Sequence, residues 1–135
     1  MLVTHEIPSI ESYLNLRRAA GLSSMSREGA KKGLPSTLFA VSLMEGGQLI
    51  GMGRVVGDGG LQFLVCDIAV HPEEQGKGYG KTIMKEIKHY IDEQVPAEGI
   101  VSLIADKLAD RLYEQYGFLH AAPDSLGMWF KQRQL

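Results

Sequence analysis

One stretch, residues 61–82, constrains the fold of this chain more than any other. It begins with an apolar run, residues 61–70, that ends at His71-Pro72. An apolar run of this length that stops at proline is typical of a buried strand. The next sequence is rich in glycine and leads into the amphipathic segment 81–95, which is typical of a surface helix; it reads Gln75-Gly76-Lys77-Gly78-Tyr79-Gly80. The sequence therefore predicts a strand, a glycine loop and a helix, in that order.

A glycine loop at a helix start is suited to binding an anion. Its backbone N–H groups point outwards, and the helix dipole places about half a positive charge behind them. Glycine has no Cβ, so the backbone can approach a bulky diphosphate closely. Lys77 and Lys81 add positive charge beside the same loop. The loop therefore predicts a site for a phosphorylated ligand.

Two common phosphate-binding motifs do not fit this loop. The dinucleotide motif G-x-G-x-x-G fails because the glycines are spaced G-x-G-x-G. The nucleotide P-loop G-x-x-x-x-G-K-[ST] matches at Gly80-Lys81-Thr82, but its first glycine would fall on Gln75. A domain that binds a nucleoside triphosphate thus remains an alternative, although the P-loop motif lacks its first glycine.

A third motif matches at every position. The spacing Gln75-x-x-Gly78-x-Gly80, after a strand that ends Asp67-Ile68-Ala69-Val70, resembles the acetyl-CoA motif Q/R-x-x-G-x-G/A of the GNAT superfamily of N-acetyltransferases. A second segment, residues 112–118, is similar to the L-Y-x-x-x-G-F segment that this superfamily carries further along the chain. The order of the two matches is also that of the superfamily.

The resemblance implies one domain over residues 1–135, with the GNAT acyl-CoA N-acyltransferase fold. This is an α+β (α/β) fold with a mixed, mostly antiparallel sheet of about six to seven strands, flanked by about four helices. The residue pattern agrees: it predicts an antiparallel meander, then a helical crossover to a parallel strand at residues 100–105, read as buried on both faces. Further strands are predicted at residues 118–121 and 128–130. Helices are predicted after Ser9, over residues 23–32, and over residues 107–116 with Asp106 as cap.

The resemblance also implies the roles of individual residues. The pantetheine arm of acetyl-CoA would lie along the backbone of Ile68, Ala69 and Val70. The loop would hold the diphosphate through residues 75–81; these are Gln75, Gly76, Lys77, Gly78, Tyr79, Gly80 and Lys81. Tyr113 would donate a proton to the departing thiolate of CoA, with Tyr116 as the alternative.

The general base and the acceptor site are less constrained by the resemblance. Asp67, in an apolar strand near the reaction centre, is a candidate base, and an ordered water is the alternative. The helical region after the first strand resembles the part of the family that lines the acceptor pocket, which makes residues 23–25 (Ser23, Ser24 and Met25) candidates. Arg17 and Arg18 are interpreted as a solvated helix face, with a pair that binds the acceptor as the alternative. Arg54 is interpreted as an exposed strand residue, with a residue that faces a ligand as the alternative.

Composition limits the partners. The formal net charge of −2 offers no global attraction to nucleic acid or to an anionic membrane. The single cysteine, Cys66, forms no internal disulfide and no metal cluster, which indicates a reducing compartment. The first residues, with His5 and Glu6, are not typical of a signal peptide. We therefore expect a cytoplasmic protein without a metal and, from the resemblance, a homodimer.

Together these observations predict an N-acetyltransferase that moves the acetyl group of acetyl-CoA directly to a primary amine of a small molecule. A protein or peptide acceptor is one alternative. The other is a module of the same fold that binds acyl-CoA as a sensor and catalyses nothing. The acceptor itself is a property of the site and is not implied by the fold.

Overall fold

The computed structural model describes residues 1–130, which contain five strands and four helices. In chain order they are β1 (Leu2–Thr4), α1 (Ile10–Ala19), α2 (Arg27–Gly33), β2 (Phe39–Glu45), β3 (Gln48–Gly57), β4 (Gln62–Val70), α3 (Tyr79–Gln94), β5 (Ile100–Ser102) and α4 (Asp110–Glu114). Within this range no helix combines the length and the apolar content that a membrane span needs.

The strands form one mixed sheet whose spatial order equals their order in the chain. β1 to β4 pair antiparallel, each with the next, and β5 pairs parallel to β4. The helix α3 makes the crossover between the parallel pair, as a βαβ unit requires. The predicted meander, the parallel pair and the α+β class are therefore confirmed.

The predicted number of strands was too high. Residues 118–121 and 128–130 form no strand, and β5 ends at Ser102 instead of continuing to residue 105. Within residues 1–130, β5 has no neighbour on its outer side, so it is an edge strand and Ile100 is 56% exposed. Apolar content indicates that a strand can be buried, but only pairing with a further strand would bury it.

Two apolar clusters lie on the two faces of the sheet. On one face, α3 packs its buried residues Ile83, Met84 and Ile87 against side chains of the sheet; these are Val41, Leu43, Ile50, Val55, Phe63 and Val65. On the other face, α1, α2 and the residue after α2 cover Leu49, Met52 and Ala69 with a smaller set of residues; these are Tyr13, Leu16, Ala30 and Leu34. Successive strand residues point to opposite faces, so β3 and β4 contribute to both clusters.

Two helices begin at a local cap; the start of α1 was predicted correctly, and that of α2 was placed too early. Ser9 caps α1, because its hydroxyl accepts a hydrogen bond from the N–H of Ser12, and Ser26 caps α2 in the same way. The second helix is accordingly shorter than residues 23–32. Asp106 does not cap a helix: α4 begins after Ala109 and has no side-chain cap. With 5 residues, α4 has half the length of the helix predicted over residues 107–116.

A close contact in the sheet gives a first testable prediction. A Cβ built on Gly53 would lie 2.7 Å from Cγ2 of Ile83 and 2.8 Å from Cδ1 of Ile68. Gly53→Ala is therefore expected to lower the free energy of unfolding by about 1–3 kcal/mol through overpacking. The control is Gly33→Ala, where a Cβ has open space and the backbone is already helical, so no loss of stability is expected. Urea unfolding of both variants measures the difference, and equal midpoints would contradict the prediction.

Candidate active site

The glycine loop has the conformation that an anion site needs. Gly76 and Gly78 have φ values of 82° and 81°, in the left-handed region that favours glycine. Gly78 precedes the first residue of α3 and offers no side-chain cap. Within residues 1–130, the backbone N–H groups of residues 76–81 find no acceptor. A set of unused donors thus lies at the positive end of a 16-residue helix.

The charged side chains of the loop differ in their availability. Nζ of Lys77 lies 2.6 Å from Oε2 of Glu74, and this hydrogen bond raises the pKa of Lys77. Lys81 is exposed and forms no ion pair with any residue that the structure describes. Nε2 of Gln75 donates to the carbonyl oxygen of Val70 at 3.2 Å, which ties the loop to the end of β4.

The two sequence motifs lie next to each other. The hydroxyl of Tyr116 donates to the carbonyl oxygen of Lys81 at 3.2 Å, and Leu112 packs close to Gly80. The helix α4 therefore stands beside the first turn of α3. Tyr113, on the same helix, is half-buried against the α3-side core, with its ring edge-on to that of Phe118. Burial, and secondarily the charge of Asp106, raises the pKa of the Tyr113 phenol.

β4 contains a bulge in the middle of the candidate donor site. Arg54 of β3 pairs with Cys66, and Met52 pairs with Ala69, so Asp67 and Ile68 together oppose the single residue Gly53. Asp67 has a φ of 58°, which is unusual for a residue other than glycine. The extra residue turns the Asp67 side chain to the face that α1 covers, while Ile68 remains on the α3 side.

Three side chains surround the Asp67 carboxylate. Nη1 of Arg17 donates to Oδ1, whereas the hydroxyl of Tyr13 and Nε of Arg54 donate to Oδ2 at 2.9 and 2.8 Å. The side chains of Arg17, Asp67 and Arg54 are only 7%, 8% and 12% exposed. Burial and then the Asp67 charge raise the pKa of Tyr13 to about 12, so Tyr13 stays a neutral donor. This set of residues is called the Asp67 cluster below.

The Asp67 cluster also fixes the segment between α1 and α2. Nε and Nη2 of Arg17 both donate to the carbonyl oxygen of Ser23, and Nη2 also reaches the Ser23 hydroxyl at 3.0 Å. Nη1 of Arg54 donates to the hydroxyl of Thr37 at 2.7 Å, just before β2. Charge-assisted hydrogen bonds of this kind are about twice as strong as neutral ones. The cluster therefore joins the bulge to both segments that flank α2.

A cleft of about 370 Å³ lies beside the Asp67 cluster, between α2 and the sheet. Its lining includes Met25, Arg54, Cys66 and Asp67. Burial and then the charge of Asp67 raise the pKa of the Cys66 thiol to about 11. Because the thiolate is the reactive form, this cysteine is a poor nucleophile at neutral pH.

A second, larger cleft of about 810 Å³ lies among residues 100–127 and includes Tyr113. At its rim, Asp110, Glu114 and His120 bring one ligand atom each within 4.8 Å of the others. Nε2 of His120 lies 3.0 Å from Oδ2 of Asp110 and 3.9 Å from Oε1 of Glu114, and the His120 side chain is 62% exposed. These three are the described residues whose types and spacing fit a metal ion; the expectation of a protein without metal stays a prediction.

Comparison with known proteins decides the family. The family model described as acetyltransferase (GNAT) domain matches residues 13–130. The chain belongs to the GNAT family. A crystal structure from methicillin-resistant Staphylococcus aureus, of a protein of unknown function called a probable acetyltransferase, is 50% identical, with a TM-score of 0.91 over 96% of this chain and 97% of that one. The resemblance seen in the two motifs is thereby confirmed.

Two further relatives show how far the similarity extends. An uncharacterized N-acetyltransferase, ycf52-like, from Prochlorococcus marinus is 30% identical over 85% of this GNAT chain, which spans 66% of that relative's length. A predicted acetyltransferase from Clostridium acetobutylicum, solved with acetyl-CoA, has a TM-score of 0.68 over 99% of this chain and 100% of its own. At 14% identity this last comparison concerns the fold alone.

In this GNAT chain, the predicted loop residues, the end of β4 and the helix α4, which carries Tyr113, lie in one region. The structure separates the candidates for the acceptor site: Met25 lines the smaller cleft, whereas Ser23 is bound to Arg17 and Ser24 lines neither cleft. The interpretation of Arg17 as a solvated residue was wrong, since it is buried. Arg54 is likewise largely buried and not an exposed strand residue.

The Asp67 cluster is the feature that sequence reasoning missed. One signal was present: Asp67 is the only charged residue in the apolar run 61–70. A charge buried by a sheet needs paired partners, and arginine is the residue best suited to that role. The sequence did not indicate which arginines these are, because they come from a helix and a neighbouring strand.

Proposed function

We propose that this protein transfers the acetyl group of acetyl-CoA directly to a primary amine of a small molecule. The observation that carries the proposal is the set of unused N–H donors at residues 76–81, beside the bulged end of β4. These donors suit the diphosphate of a coenzyme, and the exposed ammonium of Lys81 adds charge at the same place. Gln75 holds the loop in position through its bond to Val70.

The pairing of β4 supports a place for the pantetheine arm. β5 pairs with β4 only at residues 62–64, so within the described chain the remaining edge of β4 has no strand beside it. The backbone groups of Ile68, Ala69 and Val70 on that edge would bind the amides of the arm. One of these donors, aimed at the thioester oxygen, would stabilise the negative charge that develops there during attack.

The chemistry needs a proton donor for the departing sulfur. The amine nitrogen attacks the thioester carbon, the C–S bond breaks, and the thiolate of CoA takes a proton from Tyr113. The raised pKa of Tyr113 keeps this donor protonated at neutral pH. Holding both reactants in line would supply several kcal/mol of the rate enhancement.

The base that takes the amine proton is proposed to be a water molecule. Asp67 remained the alternative from the sequence, but its carboxylate accepts bonds from Tyr13, Arg17 and Arg54. Because these three bonds fix its carboxylate, Asp67 is better suited to holding the bulge than to acting on the amine. A residue that acts in this way positions the donor strand and is not itself the base.

The smaller cleft supports a small acceptor. Its volume of about 370 Å³ falls within the range of typical small-molecule sites. It reaches Cys66 and Asp67, immediately before the proposed path of the pantetheine arm. An amine bound there would lie beside the thioester.

The direct test of the proposed function is release of free thiol from acetyl-CoA in the presence of a broad panel of primary amines. We expect turnover that depends on the amine and N-acetylated product detected by mass spectrometry. Tight binding of CoA without turnover on any amine would favour a sensor. Stabilisation by ATP with Mg²⁺, but not by CoA, would contradict the coenzyme site itself.

A matched pair of glycines tests the loop. Gly78→Ala places a Cβ at the proposed diphosphate site and adds strain of about 1–2 kcal/mol at a left-handed position. Gly47, in the turn between β2 and β3, has nearly the same φ of 80° and equally open surroundings. Both alanine variants should lose similar stability, but only Gly78→Ala should weaken CoA binding, by tenfold or more in calorimetry. Equal CoA affinities would contradict the assigned site.

A homodimer is also proposed. Large apolar side chains are exposed in the last part of the described chain; these include Leu119, Leu126 and Met128. Among residues 1–130, no strand pairs with the outer edge of β5. Monomeric proteins rarely expose contiguous apolar surface of this kind. Light scattering after size-exclusion chromatography should give twice the mass of one chain, and a single-chain mass would contradict this.

A further inference from the structure

The Asp67 cluster has an excess of positive charge, and of its ionised members Arg54 and Asp67 line the smaller cleft whereas Arg17 does not. Two guanidiniums, of Arg17 and Arg54, face one carboxylate, that of Asp67. Tyr13 and Cys66, which also line the cleft, carry no charge at neutral pH. On α2, Arg27 pairs with Glu11 and Lys32 with Glu28 at the surface, whereas Lys31 forms no ion pair with a described residue. The cleft therefore attracts an anion more than a cation.

Arg54 has a donor at this cleft that no described residue uses. Arg17 uses Nε, Nη1 and Nη2 in bonds to Asp67 and Ser23. Arg54 uses Nε for Asp67 and Nη1 for Thr37, whereas its Nη2 has no acceptor among residues 1–130. The Arg54 side chain is only 12% exposed, and it lines the cleft. An oxygen of a ligand in the cleft would satisfy this nitrogen.

The rest of the cleft wall is mainly apolar. It includes Leu34 from the segment after α2, Met25 from the segment before it, and Val56 and Leu64 from the sheet. Such walls favour a ligand with an apolar body and a single anionic group. A linear polyamine would meet neither a free carboxylate nor a polar wall there.

We propose that the acetyl acceptor is an amine that also carries a carboxylate and an apolar body. Its carboxylate binds Nη2 of Arg54, its apolar part lies against Met25, Leu34 and Val56, and its amine lies at the bulge of β4. This inference rests on the proposed function, because it treats the occupant of the cleft as the acceptor. A guanidinium that is itself held by Asp67 and Thr37 presents a fixed donor, which makes the carboxylate a specificity element.

The first experiment measures binding to the wild-type protein by calorimetry with CoA present. Leucine and 6-aminohexanoate represent amines with a carboxylate, and leucinamide and 1-aminohexane are their counterparts without one. We expect each carboxylate to bind at least tenfold more tightly than its counterpart, and spermidine to bind more weakly than either. Equal binding within a pair, tighter binding of spermidine, or no carboxylate binding at millimolar concentration would overturn the inference.

The second experiment tests Arg54 itself. Arg54→Lys keeps a positive charge beside Asp67 but removes the forked donor, and Arg18→Lys is the control on an exposed helix position. Arg54→Lys should remove most of the preference for carboxylates. The change should be seen in KM, or in Kd where binding is measured. Arg18→Lys should keep the preference. A folded Arg54→Lys protein with the full preference would overturn the assignment.

The two proposals fail separately. 4-Methylpentanoate, which has the carboxylate and apolar body of leucine but no amine, should bind the cleft and compete with leucine. If 4-methylpentanoate binds and Arg54→Lys weakens its binding, the anion site is supported even when no amine is acetylated. In that case only the proposed function fails. If amines without a carboxylate are acetylated at rates equal to those with one, the proposed function stands and the inference is overturned.

Discussion

Replacing Asp67 by alanine is expected to lower the free energy of unfolding by about 3–5 kcal/mol, since it leaves two buried guanidiniums without their counter-charge. Removing one partner of a buried ion pair costs more than the pair itself contributes, because the remaining charge stays desolvated. Tyr13 would lose its acceptor as well. Urea unfolding, followed by circular dichroism, measures the loss.

Two further variants make this result specific. Asp92→Ala removes an exposed carboxylate that pairs with Lys88 within α3, and the expected loss is below about 0.5 kcal/mol. Asp67→Asn keeps the size of the side chain and its tolerance of a positive φ, so it isolates the charge from the shape. If Asp67→Ala unfolds at the same urea concentration as Asp92→Ala, the cluster does not stabilise the fold.

The second large effect concerns turnover. Tyr113→Phe is expected to lower kcat by tenfold or more while the Kd for CoA stays within about twofold, because the phenol acts on the departing sulfur and not on the diphosphate. The control is Tyr90→Phe, a partly buried tyrosine that stacks on Phe39 with ring centroids 4.6 Å apart. Steady-state kinetics with the best amine of the panel, and calorimetry with CoA, give the two quantities.

The pH dependence follows from the direction of the pKa shift. Burial raises the pKa of Tyr113 above the ordinary value of 10.0, and the active form of a proton donor is the protonated one. Any fall in wild-type kcat caused by deprotonation of this group should therefore be centred above pH 10. A kcat that falls along a limb centred well below pH 10, absent from Tyr113→Phe, would contradict the assigned role. Unchanged kcat in Tyr113→Phe combined with a loss in Tyr116→Phe would move the role to the alternative tyrosine.

Much of the local structure could be read from the sequence. The caps at Ser9 and the left-handed glycines of the loop depend on bonds and torsions within a few residues, so their sequence signals are direct. The order of β4, the loop and α3 follows from the same local patterns. The family resemblance rests on these segments, which is why the family was predicted correctly while the extent of α4 and β5 was not.

The sequence by itself determined the glycine loop, the strand before it and the antiparallel order of β2 to β4, since each is specified by neighbouring residues and by apolar periodicity. Only the tertiary structure decided that Asp67 is held by Arg17 and Arg54, and that β5 is an edge strand of the sheet formed by residues 1–130. Partners for a buried charge, or a neighbour for a strand, come from residues distant in the chain. Their identity depends on how the elements pack, and periodicity carries no record of that packing.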